Sequence, residues 1–135
     1  MITAVDASVL IDVFTDDATF GGRSRGVLVE ALAEGMLIAC DVVWAEVSAA
    51  FRLSEAPWPR WNASGWPSCF SMSRRPAAGA RWRLYRERGG TRERVIADFL
   101  IGAHACVSAD RLLTRDRGFY RSYFGDLKIL DPSSG

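Results

Sequence analysis

Four carboxylates stand where chemistry could be done. Asp6 closes the short apolar run "ITAV", and Asp116 comes just after "RLLT". Glu46 lies in "VVWAEVSAAF", and Asp98 interrupts "RVIADFLIGAHACV", which is apolar on almost every side and reads as a buried helix. A carboxylate in such a helix loses hydration worth several kcal/mol unless a partner compensates. Like charges gathered in a low-dielectric site cannot all stay ionised unless cations neutralise them. Hard oxygen donors without paired His or Cys point to Mg²⁺ or Mn²⁺ and away from zinc. Two such ions about 3.5–4 Å apart are the usual apparatus of phosphodiester hydrolysis.

The elements around these residues alternate. "ITAV" reads as a buried strand and "SVLIDVF" as the helix after it; "RSRGVLVEALAEG" has helical spacing with Gly35 as its stop. "MLIAC" is a continuous apolar strand, and Asp41 stands as an N-cap for the helix carrying Glu46. The Asp98 helix leads to the strand "RLLT", then to a loop with "RDRGFY" and a last strand in "LKIL". Continuous apolar strands separated by helices predict an α/β domain with a parallel sheet covered on both faces. Ligands of such sheets bind beyond the carboxyl ends of the strands. Asp6 and Asp116 emerge at that edge, and the four acids converge if the helices of Glu46 and Asp98 flank it.

Each acid also has a plainer role. Asp6, or equally Ser8, can cap the helix that follows, and Asp98 can pair with Arg94 one turn earlier. Glu46 is an ordinary helix former, and Asp116 an ordinary turn residue. His104, six residues beyond Asp98, falls on another face of its helix and reads as structural.

Composition narrows the class. A chain of 135 residues, half of them hydrophobic, makes about one globular domain with a real core. Met1 leads directly into the first strand without a basic leader and long apolar segment, and no run reaches the roughly 18 apolar residues of a membrane span. Cys40, Cys69 and Cys106 stand singly, without CxxC spacing, and read as reduced core thiols of a cytoplasmic protein. Net charge is +1, too small to draw nucleic acid to the whole surface. Arginine is nonetheless crowded into two stretches, Arg81 to Arg94 and Arg111 to Arg121, against a single lysine, Lys128. Its fork suits phosphate oxygens, although solvated helix faces in a chain from a GC-rich genome would look the same.

The motifs "VDASVLID", "CDVVWAEV", "RVIADFLIGAHA" and "DRLLTRDRGFY" together resemble PIN-domain ribonucleases, specifically the VapC-type toxins of toxin–antitoxin pairs. The resemblance is dense over residues 1–53 and 79–131 and implies one PIN-like domain, 1–135, with a parallel sheet of about five strands. It implies an Mg²⁺-dependent endoribonuclease neutralised by a VapB-like antitoxin, and often a homodimer. It places catalytic roles on Asp6, Glu46, Asp98 and Asp116, metal ligation on Asp6, Asp98 and Asp116, and supporting hydrogen bonds on Ser8 and Thr114. The arginine stretch beside the acidic helix makes Arg86 and Arg88 the expected contacts for RNA or antitoxin. Phosphatases with a DxD nucleophile pair and response regulators with an adjacent acid pair do not fit these motifs.

The middle departs from the family pattern. "APWPRWNASGWPSCFSMSRRPAAG" is rich in Trp, Pro and Ser, without period, and too long for a loop in a compact domain. Tryptophan has the single codon TGG, so reading from the last base of each codon turns Trp58, Trp61 and Trp66 into xTG codons for Leu, Val or Met. Continued with GC-rich codons, the shifted frame spells something like "LAPLERLGLAELLLDV", an amphipathic helix and then an apolar strand. Compensating frame changes near the ends of segment 56–76 account for this, a divergent insertion being the alternative. The affected strand is an edge strand in the family, so the metal site could survive. A module that binds an antitoxin without cleaving RNA is the alternative function.

Overall fold

The computed structural model describes residues 1–51, 87 and 94–134. In chain order these form β1 (Ile2–Val5), α1 (Ala7–Phe14), α2 (Gly21–Glu34), β2 (Met36–Ile38), α3 (Asp41–Ala49), α4 (Arg94–Ser108), β3 (Arg111–Leu113), α5 (Arg117–Tyr123) and β4 (Ile129–Leu130). The four strands make one sheet in the order β2-β1-β3-β4, every pair parallel. Ala4 of β1 is in register with Ile38 on one side and Leu112 on the other. β1 and β3 are thus the central strands, and Thr3, Ala4, Val5, Leu112 and Leu113 are all buried. The α/β class and parallel sheet expected from the continuous apolar strands are present.

Apolar spacing builds the layers. α1 buries Val9 and Leu10 and packs against α2, which buries Leu28 and Ala31. α4 packs on β1 and β3 through Ala97, Ile101 and Ala105. Because α4 leads into β3 through only two residues, it runs antiparallel to the strands, and its first turns lie toward their carboxyl edge. Gly102, buried on α4, faces the Phe124 ring so closely that no side chain fits between them. Gly35 ends α2 where the chain passes the Met1 carbonyl, again leaving no room for a Cβ.

Contacts divide the chain into two compact units, Met1–Val43 with Arg92–Gly135, and Trp44–Thr91. The described part of the second unit is mainly the end of α3, where Trp44, Val47, Ser48 and Ala49 are buried and the Ser48 hydroxyl donates to the Trp44 carbonyl at 2.6 Å. Among the described residues, no helix is long and apolar enough to cross a membrane.

Several local expectations are corrected. "RDRGFY" is mostly helix, because Asp116 caps α5 by accepting from the Phe119 N–H at 3.4 Å. β2 stops at Ile38, and α3 begins at Asp41 itself. α4 is not buried all round: Ile96, Phe99, Leu100 and Val107 are exposed. Cys106 is exposed and Cys40 half-buried, so neither is a core thiol. The anomalous segment 56–76, the expected edge strand and Cys69 lie outside the described residues.

Candidate active site

β1 ends at Val5, and the next residue, Asp6, is both the N-cap of α1 and a buried acid held by three hydrogen bonds. It is 6 % exposed. Oδ1 accepts the Ala7 N–H at 2.8 Å, as a cap does. Oδ2 accepts two hydroxyls, Ser8 at 2.8 Å and Thr114 at 2.7 Å. The capping bond and the two hydroxyl bonds therefore fall on different oxygens of one carboxylate.

Thr114 comes directly after β3, the strand paired with β1, and is fully buried. The Asp6 N–H donates to the Leu113 carbonyl at 2.9 Å, which brings Thr114 alongside Asp6. The Thr114 hydroxyl also accepts the Asp116 N–H at 3.0 Å, and the Ser8 hydroxyl accepts the Arg115 N–H at 3.4 Å. Two hydroxyls thus tie the turn after β3 to the turn after β1. Asp116 itself is exposed.

Burial is the largest influence on Asp6 and pushes its carboxyl above the ordinary carboxylate range. Hydrogen bonds from Thr114, Ser8 and the Ala7 amide oppose that rise, and the nearby Asp116 charge adds to it. A desolvated carboxylate repelled by a second one is stabilised by a cation.

Asp98 is half-buried in the second turn of α4, toward the carboxyl edge of the sheet. Its alternative partner, Arg94, has a side chain outside the described residues. Glu46 is half-buried on α3 in the second unit. Arg86 and Arg88 lie outside the described residues. The sites brought together are Asp6, Ser8, Thr114 and Asp116. Among the described residues, no three His, Cys, Asp or Glu side chains are gathered closely enough to hold one metal ion. The donor chemistry nonetheless suits a hard divalent cation: Asp6 and Asp116 offer carboxylate oxygens only, and the Asp6 oxygens are oriented from behind by neutral donors.

One buried acid escaped the sequence reading. Asp12 on α1 is 2 % exposed, with Oδ2 accepting the Ser24 hydroxyl at 2.8 Å and lying 2.7 Å from Arg115 Nε. The available signal was an acid inside the apolar run "VLIDVF", a pattern that an exposed helix polar position mimics.

A parallel α/β sheet with acids at its carboxyl edge, on the two turns that follow its central strands, defines the class of protein. Within that class the chain belongs to the PIN-domain family, whose model matches residues 3–125. PIN domains are generally nucleases, and they generally use divalent metal ions. No curated protein and no solved structure matches the chain.

Proposed function

We propose that this chain, a single PIN-like domain over residues 1–135 in sequence, is a metal-dependent endoribonuclease and the toxin of a toxin–antitoxin pair in the cytoplasm. The observation carrying the nuclease reading is the Thr114 hydroxyl, which donates to Asp6 and accepts the Asp116 amide, holding two acids of different strand ends in one hydrogen-bonded unit. Asp6, Asp98 and Asp116 would hold Mg²⁺ or Mn²⁺; the family resemblance also gives Glu46 a catalytic role. When bound, the ion supplies an activated water and neutralises charge on the phosphate. The chain's own part is orientation. Ser8 and Thr114 fix the Asp6 oxygens, and the burial of Asp6 keeps competing water from one side of its carboxylate. Its partners would be an RNA substrate, a VapB-like antitoxin engaging Arg86 and Arg88, and a second copy of the chain.

A second reading, a module that binds an antitoxin without cutting RNA, is favoured by one observation: no three candidate ligands are gathered among the described residues. Incubating the full chain with single-stranded RNA in Mg²⁺ or Mn²⁺, against EDTA, separates the two. Metal-dependent cleavage abolished by Asp116→Asn supports the nuclease. Absence of cleavage from a folded chain that still captures its antitoxin supports the binding module.

A further inference from the structure

The turn that presents Asp116 also carries an arginine fixed on several sides. Arg115 lies between Thr114 and Asp116, and its backbone N–H donates to Ser8. Its Nε stands 2.7 Å from the Asp12 carboxylate, an ion pair and not an aligned hydrogen bond. Its guanidinium carbon is 4.3 Å from the centroid of the Phe20 ring, a cation–π distance. Asp12 is held in turn by the Ser24 hydroxyl on α2. Yet the Arg115 side chain is 31 % exposed, and among the described residues its two Nη groups donate to nothing.

Stability explains this arrangement poorly. Burying a carboxylate against an arginine returns little net free energy, and apolar residues of the same volume often do as well. What the arrangement supplies is direction. With Nε in an ion pair with Asp12, one face covered by Phe20 and the Asp17 carboxylate close enough to be stabilised by the Arg115 charge, the donors without a hydrogen bond among the described residues include the Nη pair, a planar fork matched to two oxygens of a phosphate. An anionic backbone approaching Asp6 and Asp116 meets two like charges, so a positive donor on the same turn is what its binding requires.

We infer that Arg115 is a phosphate-binding residue for single-stranded RNA at the acidic edge, and that Asp12 and Phe20 are positioning residues that aim its guanidinium. The choice of RNA rests on the nuclease reading above; the phosphate site rests on the Arg115 geometry.

The test measures binding apart from cleavage. A fluorescein-labelled single-stranded oligoribonucleotide is titrated with the full chain in EDTA, comparing wild type with Arg115→Lys, Arg115→Gln and Asp12→Asn at several salt concentrations. Arg115→Gln should weaken binding about tenfold and lower the salt slope by about 0.7, one single-strand phosphate contact. Arg115→Lys keeps the charge and the salt slope but loses the fork, and Asp12→Asn keeps the arginine but loosens its aim. Both should weaken binding several-fold with the slope retained. Unchanged RNA affinity in folded Arg115→Lys and Arg115→Gln, whatever their melting temperatures, overturns the proposal. If Arg115→Gln does not fold, Arg115→Lys decides alone. Arg115-dependent binding without metal-dependent cleavage by wild type refutes the nuclease and keeps the phosphate site. Cleavage with Arg115-independent binding does the reverse.

Discussion

The hydroxyl of Thr114 donates to Oδ2 of Asp6 at 2.7 Å, across 108 residues of chain, with both groups shut away from solvent. That bond joins the ends of the two central strands and fixes the direction in which the buried carboxylate presents its remaining lone pairs.

Thr114→Val should therefore keep volume while removing the donor. It should cost about 1–3 kcal/mol, because both Asp6 and the Asp116 amide lose a partner. Metal affinity should fall by about 10–100-fold, the usual cost of losing a group that orients a ligand. Thermal melts with and without Mn²⁺ check both.

The Asp6 carboxyl is raised, first by burial and last by the Asp116 charge, against hydrogen bonds that lower it. Such a group binds its proton more tightly folded than unfolded. Its contribution to metal-free stability is thus full below the ordinary carboxylate range and is lost as pH rises through the raised folded value. Asp6→Asn should remove that pH-dependent loss and melt above wild type at neutral pH in EDTA. Added Mn²⁺ should narrow or reverse the difference, as wild type alone gains a ligand. Equal melting of the two proteins in EDTA from pH 4 to 8 would contradict this.

Asp98→Asn separates the roles left open for that residue. As a metal ligand, Asp98 should be replaceable without loss of metal-free stability while Mn²⁺ binding and RNA cleavage fall together by orders of magnitude. As the partner of Arg94, its loss should cost about 3–5 kcal/mol if the pair is buried and leave cleavage per folded molecule unchanged.

Much of this was legible in the sequence, for a physical reason. β1, β3 and α4 are nearly continuous apolar runs, so an acid at their ends or inside them stands out, as Asp6 and Asp98 did. α5 was missed because seven residues with Gly118 near the start carry little helical period; its helix depends on the Asp116 cap. Asp12 was missed because its burial comes from Ser24 and Arg115, which are distant in sequence and which no local pattern pairs with it. The exposed side of α4 was misjudged because apolar residues on a helix do not say whether anything covers them.

Gly102→Ala should test the packing of α4. A methyl there enters the space of the Phe124 ring, which is itself packed 5.9 Å from Phe99 and 6.1 Å from Tyr120, centroid to centroid. The substitution should cost about 1–3 kcal/mol, read as a lower denaturant midpoint with unchanged slope.

Segment 57–73 offers a test outside the described residues. Replacing it with the shifted-frame translation should raise the melting temperature, since it supplies apolar area worth about 25 cal/mol per Å² buried. A repaired chain that melts no higher counts against the frame change.

The pairing of β1 with β3 also sets when the acidic site comes into being. β1 finds its first neighbour, β2, within some thirty-five residues, whereas the hydroxyl that holds Asp6 arrives with Thr114. Closing a contact of that sequence separation is slow relative to local helix formation. During synthesis, a nascent chain released to about Asp110 still lacks the Thr114 hydroxyl that Asp6 accepts in the finished fold. The Asp6–Thr114 pair is therefore timed by translation: it cannot form until nearly the whole polypeptide has left the ribosome.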